Sequence, residues 1–150
     1  MKIKYTRRMI LKKLLGYKYI LIPALVWLGI QLFKVCYDYF ETKKWNWRRL
    51  FGFGGMPSSH SAVAVCLSTI VAKHEGIETS NFAISLFFSI VVMCDAVGVR
   101  NTVGKQSKVL NNILKDNKMS NFEKLQEMTG HTPFQVVAGA FIGLIIGLIF

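Results

Sequence analysis

Residues 128–150 read MTGHTPFQVVAGAFIGLIIGLIF, and this stretch decides the fold because it contains no Lys, Arg, Asp or Glu. A helix needs about 20 mostly apolar residues to cross the hydrocarbon core of a bilayer. The stretch reaches that length when its polar first turn, Gly130 to Pro133, is included. We therefore predict a transmembrane helix at these residues.

Three further stretches without charged residues precede it. They are Tyr19 to Phe33, Leu50 to Ala72, and Thr79 to Cys94. Leu50 to Ala72 is long enough to span a bilayer, and the other two are long enough if terminal Lys and Asp side chains snorkel or face a polar cavity. The pattern predicts an all-α integral membrane helical bundle with about four transmembrane helices.

Composition agrees with a membrane protein. The 150 residues are 52% hydrophobic and carry 19 Lys and Arg against 8 Asp and Glu, for a net charge of +11, while mean hydropathy is +0.36. A disordered chain would lack the large apolar residues. The basic residues lie between the apolar stretches, as at membrane faces. A nucleic-acid partner is not expected, since that requires a continuous basic surface.

The chain divides into a basic N-terminal segment and a membrane domain. Residues 1–18 are basic and are interpreted as an N-terminal segment at the interface with anionic lipid, with a disordered solubilising tail as the alternative. Residues 19–150 form the membrane domain. No small-residue cleavage site follows the first apolar stretch, so we do not expect a signal peptide.

The polar stretch from Asn101 to Glu127 contains apolar residues at helical spacing: Val109, Leu110, Ile113 and Leu114. Ser120 and Glu123 fit a capping box that would open a short second helix, ended by Gly130. Its inward residues would be Phe122, Leu125 and Met128. We expect one or two amphipathic helices at the membrane surface.

Ionisable residues cluster at particular helix ends. Since successive helices cross the bilayer in opposite directions, the ends of the first and third lie on the same face as the starts of the second and fourth. His74 falls on the opposite face. The residues on the shared face are Lys34, Arg48, Arg49, His60, Asp95, Arg100 and His131.

The residues of this set are of the types that bind a phosphate group. Helix N-termini attract anions, and Gly54 and Gly55 allow close backbone approach. Two histidines supply a nucleophile and a general acid, and cations stabilise the charge, so neither a metal nor another cofactor is expected. Structural interpretations stay open: Ser58 or Ser59 as a helix cap, Gln135 as part of a capping box, Arg48 and Arg49 as interface anchors, and Asp95 as a partner of Arg100.

Three segments resemble a known family: GGMPSSHSA at 54–62, DAVGVR at 95–100 followed by Gly104 and Leu110-Asn111, and GHTPFQVVAG at 130–139. They resemble the divergent bacterial and plant branch of the type 2 phosphatidic acid phosphatase superfamily, the acid phosphatase/vanadium-dependent haloperoxidase-related family, over about residues 28–148. The resemblance implies that His60 is the general acid and that His131 is the nucleophile forming a phosphohistidine.

The chain departs from the superfamily pattern. Lys34 with Arg48 or Arg49 would replace a first signature, and Leu125 occupies the position of an Arg for which Arg100 would substitute. Gln135 stands in place of the orienting carboxylate, so His131 should be a weaker nucleophile unless Asp95 compensates. Ser58, Ser59 and Gly55 complete the expected phosphate site. The superfamily core has six helices, so four imply a trimmed core or a homodimer.

The resemblance implies a metal-independent lipid-phosphate phosphatase of the bacterial cell membrane, acting on an isoprenoid (di)phosphate or a phosphatidate-type lipid. Two alternatives stay open. A vanadate-dependent haloperoxidase shares the anion pocket, although those relatives are soluble and larger. A non-catalytic lipid-phosphate-binding or structural membrane protein is the other, and Gln135 is its best support.

Overall fold

The protein is all-helical. A computed structural model describes residues 2–47, 50, 54–116, 122–127 and 130–150, with side chains from residue 17 onward, and contains no strand within these ranges. The helices that it describes are α1 (Lys2–Thr42), α2 (Ser59–Glu75), α3 (Ser80–Val97), α4 (Val99–Asp116) and α5 (Pro133–Ile149). The predicted all-α class is confirmed.

Side-chain oxygens begin three of these helices. Ser58, Thr79 and Thr132 precede α2, α3 and α5, and each accepts a hydrogen bond from the backbone N–H three residues on. Such caps satisfy a backbone donor that has no partner within the helix. Pro133 follows Thr132 at the start of α5, where its missing N–H costs nothing. The starting residues of α2 and α5 are therefore set by side chains that are their close neighbours in the sequence.

The helices have the length and surface of a membrane bundle. By length and composition, two described stretches can cross a bilayer, Tyr17–Thr42 and Ser80–Asp116, and Pro133–Ile149 is a shorter apolar helix. Large apolar side chains face outward, for example Phe87 and Phe141, which are 66% and 61% exposed. Lipid covers such surfaces in a membrane protein. The prediction of a membrane helical bundle is thereby confirmed.

Helix α2 lies at the centre and packs against α1, α3 and α5. Its contact with α5 depends on glycines spaced by four residues, Gly139, Gly143 and Gly147, all buried. A Cβ added to Gly143 would lie 2.2 Å from the carbonyl oxygen of Ala62. Small residues let two membrane helices approach this closely. We call this contact the α2–α5 seam.

Helix α4 is the predicted amphipathic helix. It follows α3 after Gly98, and exposed apolar side chains include Val99, Val109 and Ile113. The prediction of 1–18 as an interfacial segment is not tested by the fold, in which the α1 backbone is helical from Lys2 onward.

The predicted second amphipathic helix is wrong for residues 122–127, which are not helical. Phe122 and Leu125 are 65% and 40% exposed instead of facing inward. The side chain of Asn111 provides the reason, because it bonds both the N–H and the C=O of Leu125, each at 2.9 Å. A side chain that pairs with the backbone in this way competes with helix formation. Ser120 and Met128 lie outside the described residues.

Candidate active site

Four helix ends meet on one face of the bundle, as helix counting predicted. Lys34 Nζ of α1 donates to the carbonyl of Gly54 at 3.1 Å, just ahead of α2. The N–H of Ser58 donates to the carbonyl of Gln135 in α5 at 3.0 Å, and the N–H of His131 donates to that of Ala96 in α3 at 3.1 Å. These bonds tie the ends of α1 and α3 to the starts of α2 and α5. His74 lies at the far end of α2, where it contacts the carbonyl of Phe150.

The tautomer of His131 follows from its neighbours. The side-chain oxygen of Gln135 lies 3.0 Å from the N–H of Thr132 and 3.3 Å from Nδ1 of His131. A backbone N–H can only donate, so the Gln135 oxygen must face it. The same oxygen then accepts from Nδ1 of His131. The proton therefore resides on Nδ1, and Nε2 carries the lone pair.

Gln135 consequently has two roles. Its backbone N–H bonds the Thr132 hydroxyl at 3.3 Å and its side chain returns to the Thr132 N–H, which completes the predicted capping box. The structural interpretation of Gln135 is confirmed, and the contact with Nδ1 orients His131 as well. Asp95 does not take this place, because Arg100 engages its carboxylate.

His131 is surrounded by positive charge. The residue is 5% exposed. Burial lowers the pKa of its imidazole below the ordinary 6.5, the bond to Gln135 opposes this, and the charges of Lys34, His60 and Arg100 lower the pKa further. A lowered pKa keeps Nε2 unprotonated near neutral pH, as a nucleophile requires.

His60 occupies the first turn of α2 and is partly buried. It lies within electrostatic range of Lys34, Asp95 and Arg100 as well as of His131. The structure therefore brings together both predicted histidines, two of the predicted cations and the predicted carboxylate. These residues lie in the three sequence motifs at 54–62, 95–100 and 130–139 and, for Lys34, in α1.

Asp95 and Arg100 form an ion pair across the break between α3 and α4, with Nε 2.5 Å from the carboxylate oxygen. A spacing of five residues suits a continuous helix poorly. The chain leaves regular helix at Gly98, which lets the two side chains meet. Both remain partly exposed, at 42% and 34%. The pair fixes the guanidinium at the edge of the site.

The predicted phosphate-binding residues differ in their surroundings. Ser58 and Ser59 are 0% and 2% exposed, and the Ser58 hydroxyl caps α2 and bonds the hydroxyl of Ser61 at 2.9 Å. The capping interpretation of Ser58 is confirmed. Gly54 and Gly55 have φ of +89° and +79°, a backbone region that favours glycine. Arg48 and Arg49 lie outside the described residues.

Some positioning contacts were missed by sequence reasoning. Gln31 is 3% exposed and donates to the carbonyl of Leu50 at 2.7 Å, one turn before Lys34. A Cβ on Gly130 would lie 2.3 Å from the backbone nitrogen of Asn101, so glycine is needed beside His131. An amide residue inside an uncharged apolar stretch was the available sequence signal for Gln31, whereas Gly130 was interpreted only as a helix terminator.

A groove leads away from this site along the bundle. It lies between α1 and α5 and has a volume of about 1300 Å³. Apolar residues of both helices line most of it, including Val26 and Ile142. Beside the site it is lined by Lys34 and by Gly55 to Pro57, and past Lys34 the lining continues with Tyr37, Asp38, Glu41 and Asn46. The groove therefore connects a polar end, which carries Lys34 and the carboxylates of Asp38 and Glu41, with an apolar slot.

Comparison with known proteins gives the family. The model of the divergent PAP2 family matches residues 15–146, so the chain belongs to that family. The chain is also 36% identical to the uncharacterized membrane protein YuiD of Bacillus subtilis (strain 168), with 79% of this chain and 84% of the relative covered. No solved structure matches. The resemblance is confirmed at the level of a divergent PAP2 family, and the protein is a membrane protein.

Proposed function

We propose that this member of the divergent PAP2 family is a membrane lipid-phosphate phosphatase of a bacterial cell membrane, acting through a phosphohistidine. One observation carries the proposal. The side-chain oxygen of Gln135 holds His131 with its lone pair on Nε2, among the charges of Lys34, His60 and Arg100. A nucleophile beside cations is the arrangement that phosphoryl transfer requires.

The reaction divides into two displacements. Nε2 of His131 attacks phosphorus, and the bond from phosphorus to the lipid oxygen breaks while His60 gives that oxygen a proton. Water then attacks the phosphohistidine, with His60 accepting its proton, and releases phosphate and neutral His131. Lys34 and Arg100 neutralise the phosphoryl oxygens in both steps. Arg48 and Arg49 keep their predicted role in phosphate binding.

A lipid substrate agrees with the position of the site. The histidines lie at the ends of apolar helices, and the groove carries apolar surface from Lys34 into the bundle. A phosphate head would then lie at the interface with its tail at membrane depth. Isoprenoid (di)phosphates and phosphatidate-type lipids both have this shape.

A second candidate is a lipid-phosphate-binding protein without turnover. The amide of Gln135, where the superfamily resemblance implies a carboxylate, favours it, since a neutral group cannot stabilise a positive imidazole as a carboxylate does. The cations of the site would still bind phosphate. The two candidates differ in turnover.

The first experiment measures phosphate release by purified protein in detergent. The substrates are isoprenoid phosphates, isoprenoid diphosphates and phosphatidate, each with and without a chelator. We expect release that the chelator leaves unchanged and that His131→Ala and His60→Ala abolish. His74→Ala is the matched control, because His74 lies at the opposite end of α2.

Trapping the intermediate separates the two histidines. With labelled substrate, His60→Ala should retain some phosphoprotein, since His131 remains, and His131→Ala should retain none. Release restored only by Gln135→Glu would identify a site that lacks its orienting charge. Absence of release from wild type and from Gln135→Glu would contradict the phosphatase and favour the binding protein.

A further inference from the structure

Helix α4 extends beyond what a membrane crossing needs. The stretch Ser80–Asp116, which contains α3 and α4, has 37 residues, whereas about 20 helical residues cross a bilayer. Its uncharged part, Ser80 to Cys94, belongs to α3. The 18 residues of α4, about 27 Å of helix, therefore lie on the site face outside the hydrocarbon core.

Helix α4 has two different sides, and only one of them is covered by protein. Successive residues of a helix are about 100° apart, which places Gly104, Ser107 and Asn111 on one side. Gly104 and Ser107 are buried, and Asn111 bonds Leu125 and Glu127. A separate arc of about 120° carries only exposed apolar side chains at its large residues: Val99, Val103, Val109, Leu110 and Ile113.

The charges of α4 indicate what covers this arc. Within the part of the chain that the structure describes, α3 is the only helix that contacts α4, so the arc has no helical partner there. One acidic residue of α4, Asp116, stands against four basic ones: Arg100, Lys105, Lys108 and Lys115. Lys105 borders the apolar arc, and the other two lysines lie within a helix diameter, about 10 Å, of any surface that the arc contacts.

A surface that matches α4 must be apolar beneath the arc and anionic around it. The boundary between headgroups and acyl chains in a bilayer with anionic lipids has both properties, and basic amphipathic helices bind there. Electrostatic attraction reaches across about 10 Å at moderate ionic strength, which is enough for all three lysines to contribute.

The same helix holds parts of the candidate active site. Arg100 lies in its first turn and pairs with Asp95. The backbone of Asn101 packs so closely on Gly130 that a Cβ there would lie 2.3 Å from the Asn101 nitrogen. The next residue is His131. A displacement of α4 would therefore move a phosphate-binding cation and the residue before the nucleophile together.

We propose that α4 docks on a bilayer surface that contains anionic lipids, and that this docking holds Arg100 and Gly130 in the positions that the site requires. The first part concerns an interaction surface and stands without any activity. The second part rests on the proposed function, and makes its turnover dependent on anionic lipid.

The test of docking measures hydrogen exchange of the α4 amides in lipid nanodiscs. The discs contain phosphatidylcholine alone or phosphatidylcholine with one third phosphatidylglycerol. Val109→Glu places a negative charge in the apolar arc, and Asn112→Glu is the matched control, because it adds the same charge to an exposed residue outside the arc. Thermal midpoints in detergent verify that both variants fold.

We expect wild-type α4 to exchange about tenfold more slowly in the anionic discs, since docking opposes local opening of the helix. Val109→Glu should abolish this difference and Asn112→Glu should keep it. Lys105→Gln should reduce it, whereas Lys44→Gln, on the same membrane face but outside α4, should not.

Two results would overturn the docking. Equal exchange of wild-type α4 in both kinds of disc would exclude a preference for anionic lipid. Protection that requires two copies of the protein in one disc, whatever the lipid, would assign the arc to a second copy of the chain instead.

Phosphate release in the same anionic discs tests the second part. Val109→Glu should lower release from an isoprenoid phosphate about tenfold relative to Asn112→Glu, because small misplacement of catalytic groups is costly. Equal release by the two variants would overturn the link between docking and the site. The equal charge of the variants cancels any competition between anionic lipid and substrate.

The two measurements also separate this inference from the proposed chemistry. Slower exchange in anionic discs without any phosphate release would leave the docking in place and contradict the phosphatase. Phosphate release with equal exchange in both kinds of disc would support the phosphatase and contradict the docking.

Discussion

Glycines have opposite roles on the two sides of α5, where α5's own glycines pack against α2 and Gly29 of α1 lines the groove that separates α1 from α5. Towards α2, a Cβ on Gly143 would lie 2.2 Å from the oxygen of Ala62. Across the groove, a Cβ on Gly29 of α1 would meet nothing within 4 Å. The seam glycines allow two helices to touch, whereas Gly29 keeps a space open. The comparison distinguishes a close-packed side of the bundle, where α2 and α5 touch, from an open side, where a groove separates α1 from α5.

The largest expected effect comes from filling the seam. Gly143→Leu should destabilise the fold by more than about 3 kcal/mol, because its side chain would collide with backbone that cannot move aside. We expect loss of the monodisperse peak in size-exclusion chromatography and of cooperative unfolding. Gly29→Leu, with the same substitution on the open side, is the control. Equal behaviour of both variants would contradict the comparison.

The next effect comes from removing the contacts between α4 and the segment 122–127, which leaves the α2–α5 seam unchanged. Asn111→Ala removes the bonds to Leu125 and the bond to Glu127 at 2.8 Å, which hold the segment before Gly130 against α4. Phosphate release should fall about tenfold, since small misplacement of a catalytic group is costly.

Hydrogen exchange provides the direct readout for Asn111→Ala, because the N–H of Leu125 loses its acceptor. The matched control is Asn112→Ala, which changes the exposed neighbour on α4. If both variants exchange Leu125 at the wild-type rate, Asn111 does not position this segment.

A smaller effect concerns pH. Neutral His131 is the proposed nucleophile, so release should fall as pH drops through its pKa, which lies below 6.5. Lys34→Met removes a positive charge that lowers this pKa, so the acid limb of the pH–rate profile should move to higher pH by up to about one unit. Lys73→Met, at the opposite end of the bundle, should leave the limb in place. A limb that Lys34→Met leaves unmoved would indicate a different titrating group.

The smallest effect is a gain in stability on the open side. Gly29→Ala should stabilise the protein by about 0.5–1 kcal/mol, because alanine loses less backbone entropy in a helix and its methyl group has room. The thermal midpoint measures it. A decrease would mean that Gly29 is needed for packing after all.

Much of the site could be predicted from the sequence, because the number of helices decides which of their ends lie on the same face. Four apolar stretches place His60 and His131 on one face whatever the packing, and Thr132 with Gln135 predicts a capping box from two residue types at the right spacing. The failed prediction, a helix at 122–127, shows the limit. The local sequence pattern favoured a helix there, but the side chain of Asn111, which belongs to α4, bonds the backbone of Leu125 instead.

The sequence by itself determined the apolar helices, their caps and the face on which the ionisable residues gather, because length, hydropathy and capping are local properties. Only the tertiary structure decided that Gln135 holds His131 with its proton on Nδ1, that Asp95 pairs with Arg100 across Gly98, and that a groove extends from Lys34. The two contacts join residues only four and five positions apart but depend on side-chain geometry, and the groove depends on the packing of helices far apart in the chain. A glycine in the sequence therefore does not reveal whether a neighbouring backbone or an open space faces it.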